Sequence, residues 1–181
     1  MKTRKIIFTM LITVLLSGSA FANFVSARVK VTGITCSMCS NSVHKALSSL
    51  SFIDKIDVNL ENAEFTLTFK ASEKVVMDLI KEKIEGAGFS VGEIIAAFKF
   101  DNLHVKKDFH YEFENNVYHF VNVKDQDLKD VVAIRFVDKG MTSQKEYKKY
   151  VGLTTYTCIK TGKSADCCNT ASKKRVYHIT L

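Results

Sequence analysis

The sequence predicts an α+β protein whose first half has the element order βαββαβ and whose second half consists mainly of β-strands. Apolar and polar residues alternate through most short segments of the chain, whereas two segments of the first half show the apolar spacing of amphipathic helices. The formal charge also changes along the chain: residues 23–97 carry 8 basic and 9 acidic side chains, and residues 98–181 carry 15 and 10. We therefore place a domain boundary at Ala97.

Six elements of the first half are predicted from periodicity alone. Each predicted strand presents alternate apolar residues to one face, and each predicted helix carries an apolar stripe. In chain order, the apolar positions that define them are Ala27, Val29 and Val31 (strand); Val43, Ala46, Leu47 and Leu50 (helix); Ile56, Val58 and Leu60 (strand); Phe65, Leu67 and Phe69 (strand); Val76, Leu79, Ile80 and Ile84 (helix); and Val91 to Phe98 (strand).

Two cysteines, Cys36 and Cys39, lie between the first strand and the first helix, in the run Gly33-Ile34-Thr35-Cys36-Ser37-Met38-Cys39. Cys39 falls near the N-terminus of the helix, where the macrodipole and the unpaired N–H groups favour a thiolate over a thiol. Two thiolates with no histidine or carboxylate between them suit a soft ion such as Cu(I), whereas Zn(II) normally needs four ligands. The sequence therefore predicts a soft-metal site at this pair.

This run resembles the metal-binding loop of heavy-metal-associated domains, which occur in copper chaperones, copper-transporting P-type ATPases and periplasmic mercury-binding proteins. The resemblance covers residues 27–95 and implies a ferredoxin-like βαββαβ fold, with Cys36 and Cys39 as the metal ligands. It does not fix the ion: the thiol pair favours Cu(I), and Hg(II) or another soft metal stays open. Ile34 departs from the family, which often has Met there, but this residue packs inward and does not bind metal.

Two other side chains have alternative roles near this loop. In the family, an aromatic residue often packs beside the metal at the position of Phe89, which is either a shield for the ion or ordinary core. Met38 is either a weak thioether ligand or an exposed, variable side chain.

Residues 1–22 are predicted to be a cleaved signal peptide. Lys2, Arg4 and Lys5 form a basic start, Ile6 to Leu16 form an apolar core, and Ala20-Phe21-Ala22 matches a cleavage site. The apolar run is too short to span a bilayer, although an uncleaved anchor is the alternative. We therefore expect a periplasmic or secreted protein, cleaved near Ala22, with no stable membrane anchor afterwards.

The second half is predicted to begin with a β-hairpin. We take Asn115-Asn116 as a two-residue turn, which aligns two aromatic pairs, Phe113 with Tyr118 and Tyr111 with Phe120. The opposite face then carries His110, Glu112 and His119, with Glu112 opposite His119. We favour a solvated face with one ion pair over a metal site for this group.

The remaining elements complete the order βββαββ for residues 98–181. A third strand holds Val132, Ile134 and Phe136, and Ser143-Gln144-Lys145-Glu146 is a capping-box signature before a helix that ends at Gly152. Strands are predicted at 153–159 and 175–181. This order is compatible with a small OB-like barrel.

Three further cysteines, Cys158, Cys167 and Cys168, lie near the end of the chain. In an oxidising compartment, a bridge from Cys158 to either vicinal cysteine would contribute about 2–4 kcal/mol of stability. The alternative is a second soft-metal site built from the three thiolates. Five cysteines leave at least one without an intramolecular disulfide partner.

The sequence therefore predicts a metal-binding protein that takes up Cu(I) at Cys36 and Cys39 and passes it to or from a partner, such as a copper transporter or its soluble domain. The alternatives are a mercury(II)-binding protein, a CxxC thiol–disulfide protein and an interaction or sensory module. Thioredoxin-like enzymes set a cis-proline against the active site, and this chain has no proline. We expect no enzymatic activity, and the interleaved charges do not favour nucleic acid.

Overall fold

The computed structural model describes residues 23–166 and 174–181. Its elements follow the predicted order in the first half. They are β1 (Asn23–Thr32), α1 (Ser37–Ser48), β2 (Ile53–Asn59), β3 (Glu64–Phe69), α2 (Met77–Gly86), β4 (Ser90–Val105), β5 (Phe109–Phe113), β6 (Asn116–Phe120), β7 (Gln126–Phe136), α3 (Gln144–Val151), α4 (Cys158–Thr161), a 3₁₀ turn (Ser164–Asp166) and β8 (Val176–Thr180).

The strands form one eight-stranded sheet in the order β2-β3-β1-β4-β7-β8-β6-β5. Strand β4 is 16 residues long and pairs with β1 on one side and with β7 on the other. It extends beyond the predicted strand, which ended at Phe98, and runs through Ala97. The two halves therefore share a strand, and the division of the chain into domains at Ala97 stays a prediction.

The OB-like barrel is not confirmed, because the strands of the second half extend the sheet of the first half within the described residues. The predicted strand at 153–159 is wrong, since this segment forms a turn and the start of α4. Leu153 and Ile159 instead pack against the buried residues Val121 and Val137, so their apolar side chains are removed from water without strand pairing.

Strand β2 is less buried than predicted. Val58 pairs with the buried Phe65 of β3 and so points to the same face, yet it is 37% exposed. The reason is its place at the edge of the sheet, where neighbouring elements cover a strand least. The predicted core face of β3 is confirmed, since Phe65, Leu67 and Phe69 are all buried.

The main core lies between the sheet and the helices α1 and α2. Phe24 of β1 connects the halves within it: its ring lies 4.7 Å from that of Phe98, 6.3 Å from that of Phe113 and 6.4 Å from that of Phe136. On the same face, the Tyr177 hydroxyl of β8 lies 3.0 Å from a carboxylate oxygen of Asp78 in α2. Helix α2 of the first half therefore also contacts a strand of the second half.

No helix within residues 23–166 and 174–181 has both the length and the apolar character that a membrane crossing requires. The predicted signal peptide at residues 1–22 lies outside the described residues.

Candidate metal centre

The loop between β1 and α1 places Cys36 at the start of the helix. Gly33 has a φ of +93°, a left-handed conformation that glycine adopts without the steric cost of a Cβ. Cys36 is the N-cap of α1, with extended backbone angles, and its sulfur accepts a hydrogen bond from the Cys39 N–H at 3.4 Å. The thiol thus takes the place of the hydroxyl or carboxylate that usually caps a helix.

The two sulfurs converge at the surface. Cys36 Sγ and Cys39 Sγ lie 2.9 Å apart, with Cys36 exposed and Cys39 half-buried. The hydrogen bond from Cys36 lowers the pKa of the Cys39 thiol, and the backbone of Thr35 lowers it further. Cys39 therefore ionises more readily than an ordinary cysteine.

The surroundings of the pair are apolar or uncharged. Ile34 and Phe89 are half-buried against the main core, as the sequence predicts for Ile34. A methyl group at Gly33 would lie 3.7 Å from Cδ1 of Phe89, so this ring borders the loop. Met38 is 80% exposed, and the first turn of α1 has no acidic residue. The donors at this place are thiols, which favour soft ions.

Residues 28–90 match the family model of the heavy-metal-associated domain. The copper chaperone CopZ of Staphylococcus aureus is 33% identical over 63 residues, which are 35% of this chain and 91% of the chaperone. A probable copper-exporting P-type ATPase of Archaeoglobus fulgidus is 32% identical over 79 residues, which are 44% of this chain and 10% of the ATPase. The solution structure of the yeast copper transporter domain Ccc2a is 34% identical, with a TM-score of 0.33, over 37% of this chain and 90% of that domain.

The chain therefore belongs to the heavy-metal-associated domain family, and the resemblance predicted over residues 27–95 is confirmed. The matched part of this chain spans 91% of the copper chaperone but only 10% of the Archaeoglobus ATPase. No family model matches the second half.

The predicted hairpin of the second half exists, but its register is wrong. Glu114 and Asn115, rather than Asn115 and Asn116, are the turn residues, and both have positive φ, at 48° and 64°. The register shifts by two residues, so the predicted faces are kept while the partners change. His110 now lies opposite His119, and the rings stack with centroids 4.2 Å apart. Glu112 lies opposite Val117 instead.

Cys158 was predicted to lie on a strand. It instead begins the short helix α4 and has no exposed surface. Its sulfur lies 3.7 Å from His119 Nδ1 and 3.4 Å from His178 Nε2. Cys167 and Cys168 lie outside the described residues. The structure therefore surrounds Cys158 with imidazoles, and neither the predicted disulfide nor the three-thiolate site is tested.

The sequence analysis missed His178 and its partner Asp138. His178 lies at an alternate position of a predicted strand, so the periodicity already placed it on the face opposite Tyr177. The Asp138 carboxylate is buried, and burial raises its pKa, but the hydrogen bond to His178 and the charge of Arg175 together hold the pKa below its ordinary value. The pKa of His119 falls to about 4, chiefly because burial disfavours the charged imidazolium.

Proposed function

We propose that this protein binds Cu(I) at Cys36 and Cys39 and exchanges the ion with a partner that also presents thiols. The observation that carries the proposal is the pair of converging sulfurs at the exposed start of α1. Its support is the match of residues 28–90 to the heavy-metal-associated domain family and the likeness of this chain to a copper chaperone. The two thiolates bind the ion, and the loop orients them.

Exchange follows from the exposure of the pair. A two-coordinate ion needs its sulfurs about 4.6 Å apart, twice a metal–sulfur bond of about 2.3 Å. The sulfurs lie 2.9 Å apart, so Cys36, whose side chain faces solvent, rotates outward as it takes up the ion. An incoming thiolate can then join the ion before Cys36 leaves it. The lowered pKa of Cys39 favours the thiolate form that binds.

The partner that fits this chemistry is a copper transporter or its soluble thiol-bearing domain. We propose that the exchange takes place in the periplasm or outside the cell, after cleavage near Ala22. The basis for this location is the composition of residues 1–22, with a basic start, an apolar core and a small-residue cleavage site. Hg(II) is the alternative cargo, because it suits the same thiol pair.

A competition titration tests the proposal. Reduced protein is titrated with Cu(I) against a chromophoric Cu(I) chelator, in the wild type and in Cys36→Ser/Cys39→Ser. In the double variant, we expect the affinity for the most tightly bound Cu(I) that the chelator can remove to fall at least about 100-fold. This corresponds to about 2.7 kcal/mol of binding free energy. Met38→Leu is the matched control, since Met38 lies between the cysteines in sequence and its side chain is 80% exposed. An unchanged affinity in the double variant would refute the proposal, and a parallel Hg(II) titration compares the two cargoes.

A further inference from the structure

Three histidines line up across the second half of the sheet. His110 of β5 pairs with His119 of β6, and His119 pairs with His178 of β8. Because directly paired residues point to the same face, the three imidazoles share the face that is turned away from α1 and α2. The neighbouring row, Tyr111, Tyr118 and Tyr177, points to the other face, where Tyr177 contacts Asp78 of α2.

Helix α4 places the Cys158 sulfur over this row. Ligand atoms of His110, His119 and Cys158 all lie within 4.8 Å of one another, and His178 Nε2 lies 3.4 Å from the sulfur. Cys158, His119 and His178 have no exposed surface. Three side chains that commonly bind transition metals therefore meet at one point, with His178 beside the sulfur, and of the four only His110 is half-buried rather than fully buried.

Carboxylates fix the orientation of two of the imidazoles. His119 Nε2 lies 2.9 Å from an oxygen of Asp108, and His178 Nδ1 lies 3.0 Å from an oxygen of Asp138. An ionised carboxylate only accepts hydrogen bonds, so in each neutral imidazole the nitrogen beside the carboxylate carries the proton. The other nitrogen then presents a lone pair to the Cys158 sulfur. A carboxylate behind each histidine is the usual second layer of a metal site.

Among the described residues at this point, the protons are too few for hydrogen bonding alone. His119 Nδ1 and His178 Nε2 both present lone pairs, and a single thiol proton can serve only one of them. His110 Nε2 is a third buried nitrogen, and among the described residues it has no hydrogen-bond partner. A cation at the centre would satisfy all of these groups at once.

The distances also suit a metal ion. Bonds of about 2.3 Å to sulfur and about 2.05 Å to nitrogen, at the tetrahedral angle, place the two ligand atoms about 3.6 Å apart. The sulfur–nitrogen distances of 3.4 and 3.7 Å lie on either side of this value. The side chains therefore need little movement to hold an ion.

We propose that Cys158, His110, His119 and His178 form a second metal site, buried in the other half of the molecule, for a thiolate- and imidazole-binding ion of the d10 type, Zn(II) or Cu(I). One sulfur and three nitrogen donors suit these ions, whereas Mg²⁺ and Ca²⁺ take oxygen ligands. The same contacts resemble those of a thiol nucleophile with its base. However, a nucleophile must reach its substrate, and the Cys158 side chain is fully enclosed.

The test uses the full chain with Cys36→Ser/Cys39→Ser, so that the first thiol pair cannot bind the probe. Reduced protein is incubated anaerobically with Zn(II) or, separately, with Cu(I), freed of excess ion and analysed for metal. We expect about one ion per chain in at least one arm. Adding Cys158→Ser should reduce the retained metal more than 10-fold, while Cys167 and Cys168 remain in place in every variant.

Further variants protect the test against misfolding. His110→Gln alters a half-buried side chain, and Asp108→Asn removes only the charge behind His119; we expect each to weaken binding about 10–100-fold. His44→Gln is the matched control and should change nothing, since His44 is a half-buried residue of α1 whose Nδ1 lies 3.4 Å from the Ser48 hydroxyl. With Co(II) as probe, a sulfur-to-metal charge-transfer band should appear in the His44→Gln protein and be absent with Cys158→Ser. Amide NMR spectra verify that each variant is folded.

Three results would overturn the proposal. The first is a Cys36→Ser/Cys39→Ser protein that retains neither ion. The second is equal retention with and without Cys158, or with and without His110 and Asp108. The third is peptide mapping that finds Cys158 bridged to Cys167 or Cys168 in protein isolated from the compartment where it acts, because a disulfide sulfur cannot serve as the thiolate ligand.

Discussion

The two places where this chain concentrates thiol chemistry differ in almost every physical respect. Cys36 and Cys39 stand at the surface, on a loop that has thiols as its donors. Cys158 is enclosed under a short helix, beside imidazoles that carboxylates hold in place. The first arrangement lets a soft ion leave by ligand exchange, whereas the second would keep an ion because the enclosed Cys158 is out of reach of a thiol on another molecule. The contrast separates a transfer site from a retention site.

The two sites differ because one takes its side chains from neighbouring residues and the other takes them from strands that are distant in sequence. The thiol pair comes from one local turn, three residues apart, at the end of a strand. The histidine row comes from three strands that are distant in sequence, and β6 and β8 even run parallel. A local site can open without disturbing the sheet, but a site built across strands can open only when that part of the sheet does.

The largest expected effect is therefore a difference in thiol reactivity. In reduced, metal-free protein, we expect iodoacetamide to modify Cys36 and Cys39 about 10⁴ times faster than Cys158, since Cys158 can react only when the structure opens. Timed quenching and peptide mass spectrometry measure the three rates. The same measurement in denaturant is the control, where the rates should converge. Comparable rates in the folded protein would remove the contrast between an exposed and an enclosed site.

A second prediction concerns how far the two regions depend on each other. Phe24 belongs to the first half, is 2% exposed and contacts the aromatic rings of Phe98 and Phe113 in the second half. Phe24→Ala should lower the free energy of unfolding by about 3–5 kcal/mol, because it leaves a cavity in the shared core. Amide hydrogen exchange should speed up in β3 and in β6 alike. Denaturant unfolding and exchange by NMR measure both effects.

Val25→Ala is the matched control for Phe24→Ala, since Val25 is the next residue and is 42% exposed. It should change the free energy of unfolding by no more than about 0.5 kcal/mol. If Phe24→Ala accelerated exchange in β3 but left β6 unchanged, the halves would open independently. That result would support the predicted division at Ala97 over a single cooperative unit.

The sequence predicted the first half well because its elements other than the edge strand β2 each bury one face. Val29 and Ile80, for example, are fully buried at the positions where periodicity places them. The loop of Cys36 and Cys39 was equally predictable, since three residues of a helix start bring the sulfurs together. Local pattern was sufficient at this loop, because the start of the helix fixes the positions of both sulfurs.

Features that depend on distant pairing were predicted less well. Asp101-Asn102 is typical of a turn, yet β4 continues through it with Asn102 at a φ of +47°, in a bulge between Phe100 and Leu103. The Asn115-Asn116 pair is equally ambiguous, because a shift of the turn by one residue changes every cross-strand partner. His119 therefore gained His110 and His178 as neighbours, which no local pattern could specify.

The smallest expected effect is a shift in the ionisation of Cys39 in the metal-free protein. The hydrogen bond from Cys36 stabilises the Cys39 thiolate and lowers its pKa, so its alkylation rate should rise at a lower pH than that of an ordinary cysteine. Cys36→Ala removes this donor, and the midpoint of the rate profile should then move to higher pH. Met38→Ala keeps the donor and should leave the midpoint in place. If the midpoint does not move in Cys36→Ala, the two thiols do not act on each other in solution, and the exposed site is two separate cysteines rather than a pair.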